Sequence, residues 1–166
     1  MDNKKRIIAV YVDNKAGVLT RVTAMFTRRG FNIDTLTVGE TERKEYSRIT
    51  ITIDGDDNEK QQLINQLKKL YVIKKVEVLE EEPIQRELML IKVRNDKQSR
   101  SEVMTAVDVF RASVIDYSPE SMCIEVTGSP SKIDAFVKLM EPFGILEMCR
   151  TGLVALERGT KTLFID

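Results

Sequence analysis

The 166-residue chain contains no histidine and no tryptophan, and it has only two cysteines and four prolines. Without histidine there is no His-based catalytic triad, no histidine metal ligand and not the commonest general base. Cys123 and Cys149 lack CxxC spacing and lie in stretches that alternate like strands, so we expect small buried or unreactive thiols. These absences disfavour most classes of enzyme.

The charges balance, with 26 Lys+Arg against 26 Asp+Glu. A globally basic nucleic-acid binder is therefore not expected. The charged start, 1–6, leads into apolar residues without a signal-peptide core, and no run of about 18 apolar residues follows. These features predict a cytoplasmic protein with no membrane segment.

In the first half, apolar residues alternate between a strand period of two and a helical period of 3.6. The predicted strand, helix, strand, strand, helix and strand are Ile8–Val12, Leu19–Phe26, Ile33–Val38, Ile49–Ile53, Leu63–Leu70 and Val72–Leu79. Gly30 is placed to end the first helix, and Asn58 with Gln61 resembles a capping box for the second. Thr50 and Thr52 alternate with isoleucines, which predicts a half-buried strand.

The same order repeats after the acidic run Glu80–Glu82 and Pro83, which suit a linker. The second set of predicted elements is Leu88–Val93, Val103–Phe110, Val114–Tyr117, Met122–Val126, Ile133–Met140 and a last extended segment, Ile145–Leu156. Ser99 with Glu102 resembles a capping box before the third helix, and Ser129 followed by proline resembles an N-cap before the fourth.

We therefore predict an α+β protein of two tandem ferredoxin-like β-α-β-β-α-β units. The expected bounds are 1–80 for the first unit, 81–84 for a linker and 85–166 for the second unit with its polar tail. Two helices cover only one face of each sheet, so the other face or the edges need cover. Pairing with a second copy would supply it, and we expect an oligomer.

The loop from Asp13 to Leu19, between the first strand and the first helix, is the first candidate site. The free amides of the helix's first turn, at the positive end of its dipole, suit an anion such as an amino-acid carboxylate. Gly17 lets a ligand approach the backbone, Asn14 offers a donor and an acceptor, and Asp13 suits an ammonium group. Equally, Asp13 or Asn14 can cap the helix in a tight turn that binds nothing.

The segment Arg28–Asp34 is a second candidate, and its simpler interpretation is a helix C-terminus with arginines that complement the dipole. It lacks the second aromatic residue of an RNA-binding strand. Four other arginines are expected to be solvated or ion-paired at the surface: Arg48, Arg94, Arg100 and Arg111. A small acyl-phosphate hydrolase of this fold class would need an Arg and an Asn that hold phosphate, and no such pair is singled out.

Longer segments add a resemblance. Asp13–Leu19 resembles the ligand loop of ACT domains, the amino-acid-sensing modules. Arg29–Val38 together with Ser47–Ile51 closely resembles the regulatory (small) subunit of acetolactate synthase, also called acetohydroxyacid synthase. Further matching segments are Arg86–Lys92, Phe110–Arg111 and Arg150–Gly159. The resemblance runs nearly from end to end.

This resemblance implies a non-catalytic partner of a large subunit that holds thiamine diphosphate, a divalent metal and FAD. The chain itself would carry no cofactor and no metal. The small subunit raises the large subunit's activity and confers feedback inhibition, typically by valine, which binds where the ACT domains of a homodimer meet. The implied effector contacts are Asn14, Ala16, Gly17, Val18 and Leu19 of one chain, with Asn32 and Ile33 nearby or from the partner, and Thr35 as an additional contact.

The second unit is expected to help engage the large subunit, and the charged turn Gly39–Lys44 is expected to have no functional role. A stand-alone amino-acid-binding or transcriptional module without an enzyme partner is the alternative. The two hypotheses differ in whether the chain raises acetolactate formation by a large subunit.

Overall fold

The structure, a computed structural model, describes residues 5–54, 56–79 and 82–163. The first β-α-β-β-α-β series is β1 Arg6–Asp13, α1 Val18–Arg29, β2 Ile33–Glu40, β3 Tyr46–Ile53, α2 Asp57–Leu67 and β4 Ile73–Val78. The second is β5 Ile84–Arg94, α3 Arg100–Val109, β6 Ser113–Tyr117, β7 Ser121–Gly128, α4 Pro130–Met140 and β8 Ile145–Arg150, followed by the short strand β9 Val154–Leu156. The predicted element order is therefore confirmed.

The first unit is an antiparallel sheet with strand order β2-β3-β1-β4. Its main core lies between that sheet and the two helices, where Val22 and Phe26 of α1 and Leu63 and Leu67 of α2 are buried. This spacing places the apolar residues of each helix on one face. The unit is thus a ferredoxin-like sandwich with its helices on one side.

The second unit repeats this architecture, with strand order β6-β7-β5-β8. Its core joins Ile91 of β5 and Ile124 of β7 to Val103 of α3 and to Phe136 of α4. Ser129 caps α4 by accepting a hydrogen bond from the Lys132 amide, as the Ser-Pro pattern predicts. If β5 to β8 are matched in sequence with β1 to β4, the two sheets have the same strand order, which confirms the tandem repeat.

The boundaries of the two units differ from the sequence-based ones at the C-terminus. The second compact unit is Gln85–Gly152, and the described residues after it, 153–163, belong to the first unit. The segment expected to be extended from Ile145 to Leu156 is interrupted, with Gly152 at a positive φ of 82°. The predicted linker lies partly outside the described residues, and β5 begins at its last position, Ile84.

Residues 153–163 cover part of the face of the first sheet that the helices leave open. Ala155 and Leu163 form a small apolar cluster there with Ala9 and Leu79. Thr50, which pairs with Ala9 across β1 and β3, is buried as well. The prediction of a half-buried β3 is therefore wrong, because the chain's own C-terminal segment covers residues expected to face water.

Both predicted capping boxes are wrong. The N-cap of α2 is Asp56, whose side chain accepts from the Glu59 amide while the Glu59 carboxylate accepts from the Asp56 amide. Ser99 precedes α3 but makes no side-chain capping hydrogen bond. By contrast, α1 ends at Gly30 with φ of 70°, as predicted.

Candidate functional site

The β1–α1 loop brings four of the predicted contact residues to one exposed surface: Asn14, Ala16, Gly17 and Leu19. Gly17 is the N-cap of α1 and has a φ of 81°, a left-handed conformation that favours glycine. A Cβ at this position would meet no atom within 4 Å, so the space beside it is open. Val18 differs from its neighbours, since its side chain lies in the core and only its backbone faces the loop.

The first turn of α1 presents free amides at this surface. The Val18 amide donates to the Lys15 carbonyl and the Arg21 amide to the Gly17 carbonyl, at 3.3 and 3.1 Å. The two amides between them, of Leu19 and Thr20, donate to no described residue, and no side chain caps the helix. Because the first turn also lacks acidic residues, it is a suitable anion site.

Asn14 is held by the β2–β3 hairpin rather than by the helix. Its Nδ2 donates to the Lys44 carbonyl at 2.9 Å and to Glu40 Oε1 at 3.3 Å, and its amide donates to the Glu45 carbonyl at 2.8 Å. The prediction that Asn14 caps the helix is therefore wrong. Its Oδ1 accepts no hydrogen bond from a described residue and remains available as an acceptor.

Sequence reasoning missed the hairpin as part of the site. The turn expected to have no functional role positions Asn14 through backbone carbonyls, which no side-chain motif reveals. Tyr11 reinforces the hairpin, because its hydroxyl lies within hydrogen-bond distance of Thr41 Oγ1 and Glu42 Oε1, at 2.9 and 3.0 Å. The predicted topology is the one signal that could have placed the hairpin near Asn14. Because β3 pairs antiparallel with both β2 and β1, the β2–β3 turn lies beside the end of β1.

Asp13, at the end of β1, does not cap α1 either. Its carboxylate lies 3.1 Å from Lys74 Nζ and 4.0 Å from Lys15 Nζ. A ligand ammonium group would have to compete with these two lysines. We therefore regard the free Asn14 Oδ1 as the better acceptor for an ammonium group.

Asn32 and Ile33 lie at the opposite end of the same sheet. Ile33 pairs with Ile53, which pairs with Arg6 at the start of β1, whereas Asn14 follows the other end of β1. Seven steps along a strand at about 3.3 Å each place the two ends roughly 23 Å apart. The expectation that these residues lie near the loop within one chain is therefore wrong, and only a second chain could bring them to it.

Thr35 and Ile33 already make contacts within the chain. The Thr35 amide and hydroxyl bond the Thr52 hydroxyl at 3.0 and 2.7 Å. Ile33 packs against the main core of the first unit. Asn32 is exposed, and its side chain is free to contact another molecule.

Arg48 was expected at the solvated surface, but it is partly buried. Its Nη2 donates to the Ala155 carbonyl at 2.6 Å, which ties β3 to the C-terminal segment. Burial lowers the pKa of the guanidinium group, because removal from water disfavours the charged form more than the nearby Glu157 and Glu42 favour it. Arg48 is thus a structural residue of the first unit.

Other features of the described residues bear on chemistry. Over 5–54, 56–79 and 82–163, no three Cys, Asp or Glu side chains cluster in a way that could hold a metal ion. No helix in the same ranges is long and apolar enough to cross a membrane. Cys123 and Cys149 are free thiols, and Cys149 is exposed rather than buried.

Comparisons with known proteins agree with the fold. A family profile described as an AHAS small subunit-like ACT domain matches residues 8–75, and one described as the small subunit of acetolactate synthase matches 86–159. The crystal structure of the acetolactate synthase small subunit from Thermotoga maritima superposes with a TM-score of 0.89 at 39% identity. It covers 95% of this chain and 99% of that chain.

Curated relatives match over nearly their full lengths. The acetolactate synthase small subunit of Mycobacterium bovis is 49% identical over 162 residues, which are 97% of this chain and 96% of the relative. A probable acetolactate synthase small subunit of Archaeoglobus fulgidus is 49% identical over 157 residues, 95% and 99% of the two chains.

The first unit is therefore an ACT domain, joined to a second unit of the same topology. With both units matched, the chain belongs to the family of acetolactate synthase small subunits.

Proposed function

We propose that this chain is the regulatory subunit of acetolactate synthase. It binds a catalytic large subunit in the cytoplasm, raises that subunit's activity and confers feedback inhibition by a branched-chain amino acid, for which valine is our choice. Thiamine diphosphate, a divalent metal and FAD belong to the large subunit. Membership of the small-subunit family supports this assignment, together with the open helix terminus beside Asn14.

The geometry of the β1–α1 loop suits the two charged groups of an amino acid. The free amides of Leu19 and Thr20 can donate to a carboxylate, with the α1 dipole adding to the attraction. The open space beside Gly17 lets that carboxylate approach the backbone. Asn14 Oδ1 can accept from the ammonium group, and the hairpin holds it in place.

A complete site requires two chains. β2 runs from Ile33 to Glu40 and lies at the edge of the four-stranded sheet, so one side of the strand faces away from β3 and can take another strand. If two copies pair antiparallel along this edge, the Ile33 end of one lies beside the Glu40 end of the other. Because Glu40 contacts Asn14, this homodimer would place the partner's Asn32 near the β1–α1 loop.

Effector selectivity should be incomplete. Small apolar residues such as Ala16, with the exposed Leu19, suit a small aliphatic side chain. One methylene is worth only about 1–3 kcal/mol of discrimination in an apolar pocket. We therefore expect leucine and isoleucine to bind as well, but more weakly than valine.

The first experiment is calorimetric titration of the purified chain with valine, beside the Asn14→Ala variant. Saturable binding in the wild type that is lost in the variant would support both the ligand and the loop. If the free chain shows no heat, the titration is repeated with the large subunit present. A complex that still gives no heat, and no inhibition by valine, would contradict the proposed effector.

A second experiment separates feedback from activation. Gly17→Asp places a carboxylate in the space of the effector's carboxylate, and Asp is among the residues that tolerate a left-handed conformation. Acetolactate formation by the large subunit should still rise with this variant but should no longer fall with valine. Gly17→Asn is the control of equal size without charge, and it should lose less sensitivity.

Full valine inhibition with Gly17→Asp would show that the site lies elsewhere. A wild-type chain that binds valine but never raises acetolactate formation by any large subunit would favour the stand-alone module instead.

A further inference from the structure

A basic groove lies between α1 and α2 on the helical side of the first unit. We call the following lining residues the basic groove: Thr20, Arg21, Ala24, Met25, Arg28, Arg29, Gln66, Lys69, Leu70, Tyr71 and Val72. The cavity measures about 540 Å³. Four of its residues are cationic and none is acidic, although the chain as a whole carries equal numbers of both charges.

These four cations have no carboxylate partner among the described residues. Elsewhere in the first unit, cations do find one: Lys5 lies 3.1 Å from Asp34, Arg6 lies 2.6 Å from Asp57 and Lys74 lies 3.1 Å from Asp13. Arg28 and Arg29 complement the dipole at the C-terminus of α1, but that role does not neutralise them. The groove therefore has a local positive potential that can attract an anionic partner.

The spacing of the cations favours an extended partner over a small one. Arg21 and Arg28 are seven residues apart on one face of α1, or roughly 10 Å at the helical rise. Lys69 lines the opposite wall, beyond the end of α2. Charges spread over this length suit several separate carboxylates, whereas one phosphate or carboxylate would be bound by converging groups.

Tyr71 adds an apolar contact at one end of the groove. Its side chain is 70% exposed, and the Arg21 guanidinium carbon lies 4.9 Å above the ring centroid. Tyrosine and arginine are among the residue types enriched in the energetically important parts of protein interfaces. An exposed aromatic ring beside unpaired cations is thus typical of a protein-binding surface.

We propose that the basic groove is a docking surface for an acidic segment of the catalytic large subunit. This inference rests on the proposed function, since it assigns part of the contact with that partner to the ACT domain. Carboxylates of the segment pair with Arg28, Arg29 and Lys69, and an apolar side chain packs on Tyr71. Such contacts steer association and make it sensitive to salt.

The test uses the full-length chain and the large subunit from the same source. Arg28→Glu with Lys69→Glu reverses two groove charges, and Arg28→Gln with Lys69→Gln removes them with less effect on the α1 terminus. Lys5→Glu with Arg6→Glu is the matched control, because it changes net charge equally and both residues are exposed on the first unit outside the groove. The dissociation constant is measured by analytical ultracentrifugation at low and at physiological salt.

We expect the groove reversal to raise the dissociation constant about tenfold or more at low salt, and the control to change it by less than about twofold. The charge-removal variant should lie between, and both groove variants should lose salt dependence relative to wild type. Valine titration of each free variant checks that the ACT domain is intact.

A groove reversal that binds the large subunit as tightly as wild type overturns the inference. A second result would also overturn the inference. In it, the wild-type chain binds inorganic tripolyphosphate saturably and the groove reversal abolishes that binding, but the affinity for the large subunit is unchanged. The groove would then be a small-anion site. If the wild-type chain itself never associates with the large subunit, the proposed function fails and this inference fails with it.

Discussion

Two arginines of this chain, Arg48 and Arg150, show how the bonding partner decides the direction of a pKa shift, because burial lowers the pKa of both guanidinium groups. Arg150 donates through Nε and Nη2 to the two carboxylate oxygens of Glu87 at 2.7 and 2.8 Å, which raises the pKa of its guanidinium group. Arg48 bonds a neutral carbonyl instead, and burial lowers its pKa. Arg150 therefore belongs to a bidentate ion pair with the buried Glu87.

Arg150→Met should destabilise the second unit strongly. Glu87 is only 4% exposed, so the substitution leaves a buried carboxylate without its partner, at a cost of about 3–5 kcal/mol. Asp134, the other partner of Arg150, is largely exposed and should contribute little. Urea unfolding measures the change in the free energy of unfolding.

Arg48→Met is the comparison variant. It should change the free energy of unfolding by less than about 1 kcal/mol, because it also removes a guanidinium group whose burial is unfavourable. Equal losses for the two variants would contradict this account.

For single residues, the sequence predicts which polar groups the candidate site contains, but not the direction in which each side chain points. The β1–α1 loop, its free amides and Gly17 follow from the sequence, because a helix that begins after a strand exposes its first amides. The direction of the Asn14 side chain does not follow, since it depends on the Lys44 carbonyl, 30 residues away. Non-local backbone contacts carry no signature in side-chain type.

For single elements, the existence of each predicted helix is confirmed, but its first residue is harder to predict. Asp56 with Glu59 and Asn58 with Gln61 are overlapping patterns, and both satisfy the capping-box rule. In the structure the capping box forms between Asp56 and Glu59. The start of α2 is set by two further requirements, because the chain has to leave β3 and the helix has to turn Leu63 and Leu67 towards the sheet. A local sequence pattern contains neither requirement.

Asp56→Ala should destabilise α2 by about 1 kcal/mol, because it removes a real capping hydrogen bond. In a protein of this size that corresponds to a fall in Tm of about 2–4 °C. Ser99→Ala is the matched control at α3, where the serine makes no capping bond, and it should change Tm by less than about 1 °C. Calorimetry of both variants decides the matter, and a larger effect at Ser99 would show that the two caps are assigned wrongly.

For the whole molecule, the tandem order could be predicted because each unit repeats the same alternation of periods. The return of residues 153–163 to the first unit could not, since a polar tail with a few apolar residues has no periodicity. This segment covers part of the sheet face for which we had expected a second copy. Pairing along the β2 edge therefore becomes the better route to the expected homodimer.

Leu163→Ala should loosen the C-terminal segment from the first unit. Leu163 is 7% exposed and packs against Ala9 and Leu79, so the truncation removes most of its apolar contact. The exposed trypsin sites at Arg158 and Lys161 report such local opening, and cleavage should be about tenfold faster or more. The control is Leu156→Ala in the same segment, because Leu156 is 58% exposed and should leave the rate nearly unchanged.

The proposed two-chain effector site gives the sharpest prediction, because the residues at its two sides can be changed separately. Asn14→Ala and Asn32→Ala should each abolish valine binding in a homodimer, since every site then lacks one side. When the two variants are mixed and allowed to exchange subunits, each heterodimer contains one intact site and one doubly altered site. About one quarter of all sites should then bind valine, as counted by calorimetric stoichiometry. If the site is built within a single chain, the mixture should bind no valine. The same result is expected if Asn32 contributes only to the stability of the fold.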